Sequence, residues 1–411
     1  MITYQSKLFS RARKEAPADA EAMSHQLLAR AGYVQQVGAG TFALLPLGFR
    51  VSRKVEQIVR EEMEAIGAQE IIMPALQPAS LWAESGRLDH MDPPLFRVKD
   101  RHDKDLVLAS THEEAVTLLA RSVIESYKDL PLAVFQIQTK FRNEIRASGG
   151  LLRVREFSMK DLYSFHRTKE DLQNYYQKVR DAYHKIFERC DLKVHMATAQ
   201  SGTIGGKVSH EFQVECASGE DIVLKCDECD YVANAEVSGT GKGECIQCGG
   251  KLKTINCVEN GHIFQLGTKY SEPMKAMYTE EDGSSHPLQM GCYGIGIGRL
   301  TATIAETHWD ERGLKWPESV SPFKWHLLSL QRQVQPQAEK IASELSQVGD
   351  VLWDDRDVSA GQKFAEADLL GISSRIVLSE RNEAEGKIEV FERATGKSVM
   401  LDKADFINSL K

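Results

Sequence analysis

The sequence predicts a protein of mixed α/β (α+β) class with more than one domain. Apolar residues recur at helical spacing between Val51 and Ile66, and a short strand over 70–74 is expected to stop at its proline. From residue 322 onward, strand and helix patterns alternate. A chain of 411 residues is long enough for two or three domains.

The segment 141–157 is predicted to form a strand, a Gly-rich loop and a second strand. Its residue types suit ATP, because an arginine such as Arg142 can donate two hydrogen bonds to a phosphate. The Glu144 carboxylate can accept a hydrogen bond from the adenine amine, and Phe157 offers a flat face to the purine ring. A surface ion pair is the alternative for the Arg-x-Glu pattern taken alone.

Glycine alternates with other residues in the apolar segment 291–299, which ends at Arg299. Glycine at alternate positions of a strand lets a ligand or another backbone approach closely. The segment lacks the Gly-Lys-Ser/Thr ending of a phosphate-binding loop, so we do not assign it to that class. We expect a strand that delivers Arg299 to a binding site.

Four cysteines form two Cys-x-x-Cys pairs, Cys226 with Cys229 and Cys245 with Cys248. Two such pairs at this separation are typical of a tetrahedral zinc site. Disulfides are the alternative, which a reducing compartment disfavours. Four thiolates leave no open coordination position, so the predicted zinc is structural. Because the surrounding segment has few apolar residues, we expect the metal to hold it together.

The region after residue 322 is predicted to form a small α/β sheet. Its predicted strands are 325–330, 351–353, 375–378 and 387–391, and its predicted helices are 335–345 and 362–370.

Composition limits the classes of function. The formal net charge is -8, whereas a general RNA-binding protein usually has a basic surface, so any RNA contact is expected to be a local patch. No stretch approaches the roughly 20 consecutive apolar residues of a membrane helix, and the amino terminus has no secretory pattern. We therefore expect a cytoplasmic protein with no membrane partner.

Three segments resemble the motifs of the class II aminoacyl-tRNA synthetases. The segment 48–74 resembles motif 1, through which this class dimerises, 141–157 resembles motif 2 and 291–299 resembles motif 3. The resemblance implies a homodimer whose catalytic domain is built on an antiparallel sheet with flanking helices.

Five segments narrow the resemblance to bacterial-type prolyl-tRNA synthetases. They are GAGTFALLPLG at 38–48, THEE at 111–114, EFSMKDLYSFH at 156–166, SHEF at 209–212 and GHIFQLGTKYS at 261–271. The resemblance extends through almost the whole chain. It implies that L-proline is activated with ATP and Mg²⁺ to prolyl-adenylate and transferred to tRNA(Pro). The alternatives are a non-catalytic paralogue that binds nucleotide or RNA, and a synthetase for another small amino acid.

The resemblance also implies roles for individual residues. Arg142 and Arg299 are the candidate catalytic residues, since this chemistry needs placed positive charge rather than a protein nucleophile. The residues expected to bind ATP are Arg142, Glu144, Arg153, Phe157, Gln265, Thr268 and Arg299.

Proline presents a secondary ammonium and a compact ring, so its site needs a carboxylate and a small apolar slot. The residues that the resemblance assigns to proline are Thr111, Glu113, Arg142, Met159, Asp161, Phe212, His262, Ser271 and Cys292. Apolar strand residues usually belong to the core, so packing remains the alternative for Met159 and Phe212. Cys292 is either a pocket residue or an inert buried thiol.

The domain boundaries implied by the resemblance are 1–221 and 259–321 for the two parts of the catalytic domain, 222–258 for the zinc-binding insertion and 322–411 for an anticodon-binding domain. Typical bacterial prolyl enzymes carry a large domain between motifs 2 and 3 that hydrolyses mischarged alanyl-tRNA. Here only 237–258 fills that interval, which is below the roughly 50 residues of a small domain. We expect no editing in cis, which leaves correction to a separate trans-editing protein.

The segments 354–356, 361–364 and 368–372 resemble the anticodon-binding domain of this subclass, although Ser373 and Ser379 stand where the family usually has proline and glycine. Arg356 and Lys363 are the candidate contacts to anticodon bases, with solvated surface charge as the alternative.

Overall fold

The computed structural model describes residues 1–206, 208–237 and 243–410. These residues form two compact units. One unit contains Met1–Val37, Phe42–Lys54 and the chain from Ile304 onward, and the other contains Gly38–Thr41 and Val55–Thr303. The predicted insertion at 222–258 falls within the second unit, and the predicted domain boundaries stay predictions.

The unit that contains Val55–Thr303 is built on a nine-stranded sheet. In spatial order its strands are Val208–Glu215, His195–Thr198, Val232–Asn234, Asp221–Cys226, Leu252–Gly267, Gln289–Gly296, Glu156–His166, Leu132–Phe141 and Gln69–Glu70. The four long strands from Leu252–Gly267 to Leu132–Phe141 pair antiparallel throughout. The predicted antiparallel sheet is therefore confirmed.

Helices flank this sheet. The helices wholly inside the unit are Ala79–Glu84, Glu113–Val123 and Lys169–Arg189. Lys169–Arg189 begins after Thr168, whose side chain accepts a hydrogen bond from the Asp171 amide and so satisfies a free donor of the first turn. Its buried face carries three tyrosines and several aliphatic residues against the sheet. A small sheet of Leu76–Pro78, Asp105–Leu108 and Phe96–Lys99, and a hairpin of Met277–Thr279 and Ser285–Pro287, complete the unit.

The predicted helix of motif 1 is present as Pro46–Ala65. Proline is tolerated at its first turn because the amide there has no helical partner. The predicted strand over 70–74 is shorter than expected, since only Gln69–Glu70 pairs as a strand. The Met73 amide donates instead to the side chain of Gln136, and Pro74 has no amide to donate.

The other unit contains a six-stranded sheet. Its strands, in spatial order, are Ile2–Tyr4, Val351–Asp354, Trp325–Ser329, Ser374–Leu378, Lys387–Glu392 and Lys397–Asp402. The first four are parallel and the last two pair antiparallel. Its helices include Met23–Arg30, Gln335–Leu345, Ala360–Leu370, Glu380–Ala384 and Lys403–Ser409. The predicted α/β sheet is confirmed, with two further strands.

Two helices have residues in both units, Pro46–Ala65 and Ile297–Thr307. Within the described ranges, none of the helices combines the length and the apolar character that a bilayer span requires.

Candidate active site

A cavity of about 400 Å³ opens on the long strands of the nine-stranded sheet. Eleven of the sequence-predicted residues line it: Thr111, Glu113, Arg142, Glu144, Arg153, Phe157, Met159, Asp161, His262, Cys292 and Arg299. They come from both predicted ligand sets, so residues assigned to ATP and residues assigned to proline share one cavity.

Strand register explains how these side chains meet. Asp161 pairs with Gly294 and Met159 pairs with Gly296, so alternate residues of two neighbouring strands face the same side. A Cβ built on Gly294 would lie 3.7 Å from the Met159 sulfur. The glycines therefore keep side-chain volume out of the cavity wall, as their alternation predicts.

The arginines of motifs 2 and 3 surround one end of the cavity. The guanidinium of Arg142 lies 5.3 Å from the Phe157 ring centroid. Burial and then the nearby charge of Arg299 lower the pKa of Arg142. Arg299 Nη1 donates to the Glu259 carboxylate at 3.1 Å, and its Nε donates to the Leu152 carbonyl at 2.9 Å. Two neighbouring guanidinium groups give this end of the cavity a positive field suited to phosphate.

Glu144 and Arg153 form an ion pair across the motif 2 hairpin. Arg153 Nε donates to Glu144 Oε2 at 3.0 Å, and Arg153 Nη1 also contacts Glu220 at 3.2 Å. The side chain of Glu144 is 12% exposed, so it lies in the wall rather than in solvent. Both residues line the cavity, and their predicted contacts with adenine and phosphates stay a prediction.

The other end of the cavity holds a buried carboxylate. Glu113 is the first residue of the helix Glu113–Val123, and Thr111 Oγ1 donates to both of its oxygens, at 2.9 and 2.7 Å. The thiol of Cys292 donates to Glu113 Oε1 at 3.0 Å. Burial, followed by the charge of Glu113, raises the pKa of Cys292, so this thiol keeps its proton. A buried carboxylate of this kind can accept a hydrogen bond from a cationic amine.

Two residues that line the cavity, Glu259 and His262, form a cluster with Glu211, and of the three only His262 is predicted from the sequence. Glu211, Glu259 and His262 place their potential ligand atoms within 4.8 Å of one another, and His262 Nδ1 lies 3.2 Å from Glu259 Oε1. Burial opposes ionisation of Glu259, but a hydrogen bond from His262 and the charge of Arg299 lower its pKa to about 2. Burial and then the charge of Glu259 raise the pKa of Glu211.

No role is predicted from the sequence for Glu211 or Glu259. Glu211 nevertheless stands in the segment 209–212, and Glu259 lies two residues before the segment 261–271. The signal that could have identified them is alternation. Glu211 lies 3.6 Å from His262, which lines the cavity, and side chains alternate along the strand Val208–Glu215, so the neighbouring Phe212 points to the opposite side.

Four predicted ligand residues are not brought to the cavity wall: Phe212, Gln265, Thr268 and Ser271. Phe212 packs in the core with its ring centroid 4.9 Å from that of Tyr183. Ser271 is buried and donates to the Leu288 carbonyl at 2.6 Å, and the Gln265 amide donates to Gln173. Their assignment to ligands stays a prediction that the cavity does not support.

The four cysteines of the two pairs converge on one point. Their sulfur atoms lie within 4.8 Å of one another, with 3.5 Å between Cys226 and Cys248 and 3.6 Å between Cys229 and Cys245. A tetrahedral zinc with Zn–S bonds of about 2.3 Å needs sulfur atoms about 3.8 Å apart, whereas a disulfide needs about 2 Å.

Backbone amides support these sulfurs. The Glu228 amide donates to Cys226 at 3.3 Å, and the amides of Gln247 and Gly250 donate to Cys245 and Cys248 at 3.4 Å each. Such donors favour thiolates, so the residues fit a structural zinc. Residues 238–242 of the predicted insertion lie outside the described residues.

The two candidate anticodon residues are already paired within their own unit. Arg356 contacts Asp354 at 2.7 Å and Glu366 at 2.6 Å. Lys363 is 2% exposed, and its ammonium donates to the carbonyls of Ser329 and Asp354 at 2.6 and 3.0 Å. Lys363 lies on the inward face of the helix Ala360–Leu370, so its predicted contact with RNA would need that face to open.

Comparisons with known proteins agree with this geometry. Residues 96–308 match the tRNA synthetase class II core domain (G, H, P, S and T), and residues 319–411 match the anticodon binding domain. The fold and the site are therefore those of a class II tRNA synthetase.

Relatives narrow the assignment. The chain is 36% identical to the proline–tRNA ligase of Geobacillus kaustophilus, with 99% of each chain covered. It is 41% identical to that of Bradyrhizobium diazoefficiens, with 98% of this chain and 99% of the relative covered, and 40% identical to that of a Wolbachia, with 98% of each covered. The chain belongs to the proline–tRNA ligase family.

The relatives differ in length. The alignment with the Geobacillus protein extends over 561 positions, whereas this chain has 411 residues. The alignment with the Wolbachia protein extends over 415. The first relative therefore carries inserted sequence that this chain does not have.

A solved structure shows the same fold. The chain is similar to prolyl-tRNA synthetase of Giardia lamblia in complex with prolyl-adenylate, with a TM-score of 0.75, 20% identity, and 95% of this chain and 79% of that chain covered.

Proposed function

We propose that this chain is a proline–tRNA ligase, which activates L-proline with ATP to prolyl-adenylate and transfers the prolyl group to tRNA(Pro). The observation that carries the proposal is the shared cavity. It holds an acceptor for a cationic amine, Glu113 with Thr111, and the guanidinium groups of Arg142 and Arg299.

The arrangement suits adenylate formation. The prolyl carboxylate attacks the α-phosphorus of ATP and pyrophosphate leaves, which requires both substrates to be held in line. Glu113 would hold the secondary ammonium of proline, and Arg142 would contact the prolyl carboxylate and the α-phosphate. The lowered pKa of Arg142 reflects burial beside a like charge, and a bound phosphate would relieve that repulsion.

The remaining wall residues fit ATP. Glu144 would accept from the adenine amine, Phe157 would stack on the purine, and Arg153 and Arg299 would contact the outer phosphates. Glu259, whose pKa is about 2, and Glu211 beside it would hold Mg²⁺. When bound, the ion would neutralise phosphate charge.

The second step and the assembly follow from the family. The 3′-terminal ribose hydroxyl of tRNA would attack the adenylate carbonyl and release AMP. We further propose a cytoplasmic homodimer, with the anticodon read in the unit that holds residues 319–411 and a structural zinc at the four cysteines.

A pyrophosphate exchange assay tests the proposal. Exchange of labelled pyrophosphate into ATP should depend on proline and should not respond to other small amino acids at the same concentration, alanine excepted. A non-catalytic paralogue would bind ATP without exchange. The presence of Thr111, Glu113, Arg142, Glu144, Phe157 and Arg299 in one cavity argues against that alternative.

A further inference from the structure

Arg87 does not line the cavity, yet it contacts the carboxylate that the proposed function assigns to the substrate amine. Its side chain is 5% exposed, and its Nη1 donates to Glu113 Oε2 at 3.2 Å. The same nitrogen donates to Glu114 Oε1 at 3.0 Å. Resting on the proposed function, we propose that Arg87 is a positioning residue that fixes Glu113 in the orientation that receives the proline ammonium.

Aromatic rings fix the guanidinium of Arg87. It lies 5.2 Å from the ring centroid of Trp82 and 5.2 Å from that of Tyr270. The Trp82 indole is itself anchored by a 2.8 Å hydrogen bond to Gln77. Nε and Nη2 of Arg87 have no hydrogen-bond partner among the described residues. The polar contacts of this side chain therefore pass through Nη1 alone, toward the two carboxylates.

Glu113 depends on this contact because it is fully buried. Its donors are Thr111 Oγ1, Cys292 Sγ and Arg87 Nη1. Thr111 and Cys292 line the cavity, whereas Arg87 does not. An entering ammonium can compete with the two cavity-lining donors, and Arg87 remains as the donor that keeps the carboxylate in place.

Two carboxylates contact the single guanidinium of Arg87. Glu113 and Glu114 both have fully buried side chains and share one guanidinium. Burial disfavours the charged form of Arg87, but the charges of Glu113 and Glu114 outweigh it and raise its pKa. Glu114 has a further donor in Ser85 Oγ at 2.6 Å. Arg87 is thus held by both carboxylates, and Glu114 is held in addition by Ser85.

The test separates the two carboxylates that Arg87 contacts. Arg87→Met, Glu114→Gln and the double variant are assayed for proline-dependent pyrophosphate exchange, with KM measured for proline and for ATP. We expect Arg87→Met to raise the proline KM by about tenfold or more, because a hydrogen bond to a charged group is lost, with the ATP KM unchanged. Glu114→Gln is expected to leave both constants near the parent values.

The double variant decides between positioning and simple neutralisation. It removes one carboxylate with the guanidinium, so its melting temperature should return toward that of the parent, while the proline KM stays high. A proline KM that returns to the parent value would overturn the proposal, because Arg87 would then act only as the countercharge of Glu114. A parallel rise of the proline and ATP KM values would also overturn it, as general damage to the cavity.

Two controls keep the outcome interpretable. If Arg87→Met does not fold, Glu114→Gln is compared with the double variant, and Arg87→Lys, which keeps the charge without the planar group, should raise the proline KM alone. A parent protein without proline-dependent exchange would refute the proposed function itself. An active parent with an unchanged proline KM in the double variant would refute only the role of Arg87.

Discussion

Lys140 and Asp161 form a buried ion pair on adjacent strands beneath the cavity, with 2.7 Å between Lys140 Nζ and Asp161 Oδ1. The second oxygen of Asp161 accepts from Gln136 Nε2 and from the Tyr163 hydroxyl, each at 2.9 Å. The Tyr163 hydroxyl accepts in turn from the His112 amide at 3.0 Å. This chain of contacts links the floor of the cavity to the loop that presents Thr111 and Glu113.

Asp161→Asn should therefore destabilise the protein strongly. Removing one partner of a buried ion pair leaves the other charge uncompensated, at a cost of about 3 to 5 kcal/mol. The double variant Lys140→Met with Asp161→Asn removes both charges and should recover most of the loss. Thermal denaturation compares the two. Equal melting temperatures for the single and double variants would contradict the importance of the pair.

The predictable part of the fold is the part set by local periodicity. The helix Gln335–Leu345 has its predicted bounds, and the helix Pro46–Ala65 begins five residues before the predicted apolar stripe at Val51 and ends one residue before Ile66. The strand Ile2–Tyr4 was not predicted, because three residues carry no period and are held by pairing with Val351–Asp354. Long-range pairing of this kind is invisible in a local pattern.

Site residues that stand in recognisable motifs could be predicted from the sequence. Site residues whose position depends on which face of a strand they occupy could not. Arg142 and Glu113 stand in motifs, and both line the cavity. The sequence assigns a ligand role to Phe212 and none to its neighbour Glu211, and only the structure shows that Glu211 contacts His262 of the cavity wall. Alternation along the strand Leu252–Gly267 likewise places Phe264 in the cavity wall and its neighbour Gln265 outside it.

The metal prediction concerns the four cysteines. Purified protein should carry about one tightly bound zinc per chain, and replacing both Cys226 and Cys229 by serine should remove it. Cys216→Ser, which changes a cysteine outside the cluster, is the matched control and should retain the metal. Elemental analysis without zinc, together with a Cys226–Cys248 or Cys229–Cys245 disulfide under reducing conditions, would reject a metal site.

The enzyme should attach alanine to its tRNA and should not remove it. A pocket for the proline ring excludes a smaller side chain weakly, since each missing methylene is worth only about 1 to 3 kcal/mol. The predicted interval 237–258 is too short for a hydrolytic domain. Preformed alanyl-tRNA(Pro) should decay at the same rate with and without the protein. Rapid enzyme-dependent deacylation would contradict the prediction.

Light scattering should report a dimer of about twice 46.0 kDa. The segment after the motif 1 helix exposes Ile72, which is 77% exposed, so an apolar side chain there is available to a second copy. Ile72→Asp should weaken association, whereas Val399→Asp, at an exposed position of the other unit, should not. A parent protein that is monomeric and fully active would contradict the proposed assembly.

Proline-dependent pyrophosphate exchange, measured in the parent and in Arg142→Ala, tests the central claim most directly. We expect exchange with proline, with alanine as the one exception among the other small amino acids, and a loss of about 10²- to 10³-fold in Arg142→Ala, because one placed donor to the transition state is worth about 3 kcal/mol. Arg101→Ala, which removes an exposed arginine, should exchange like the parent. Exchange without any added amino acid, or exchange at the parent rate in Arg142→Ala, would contradict the account.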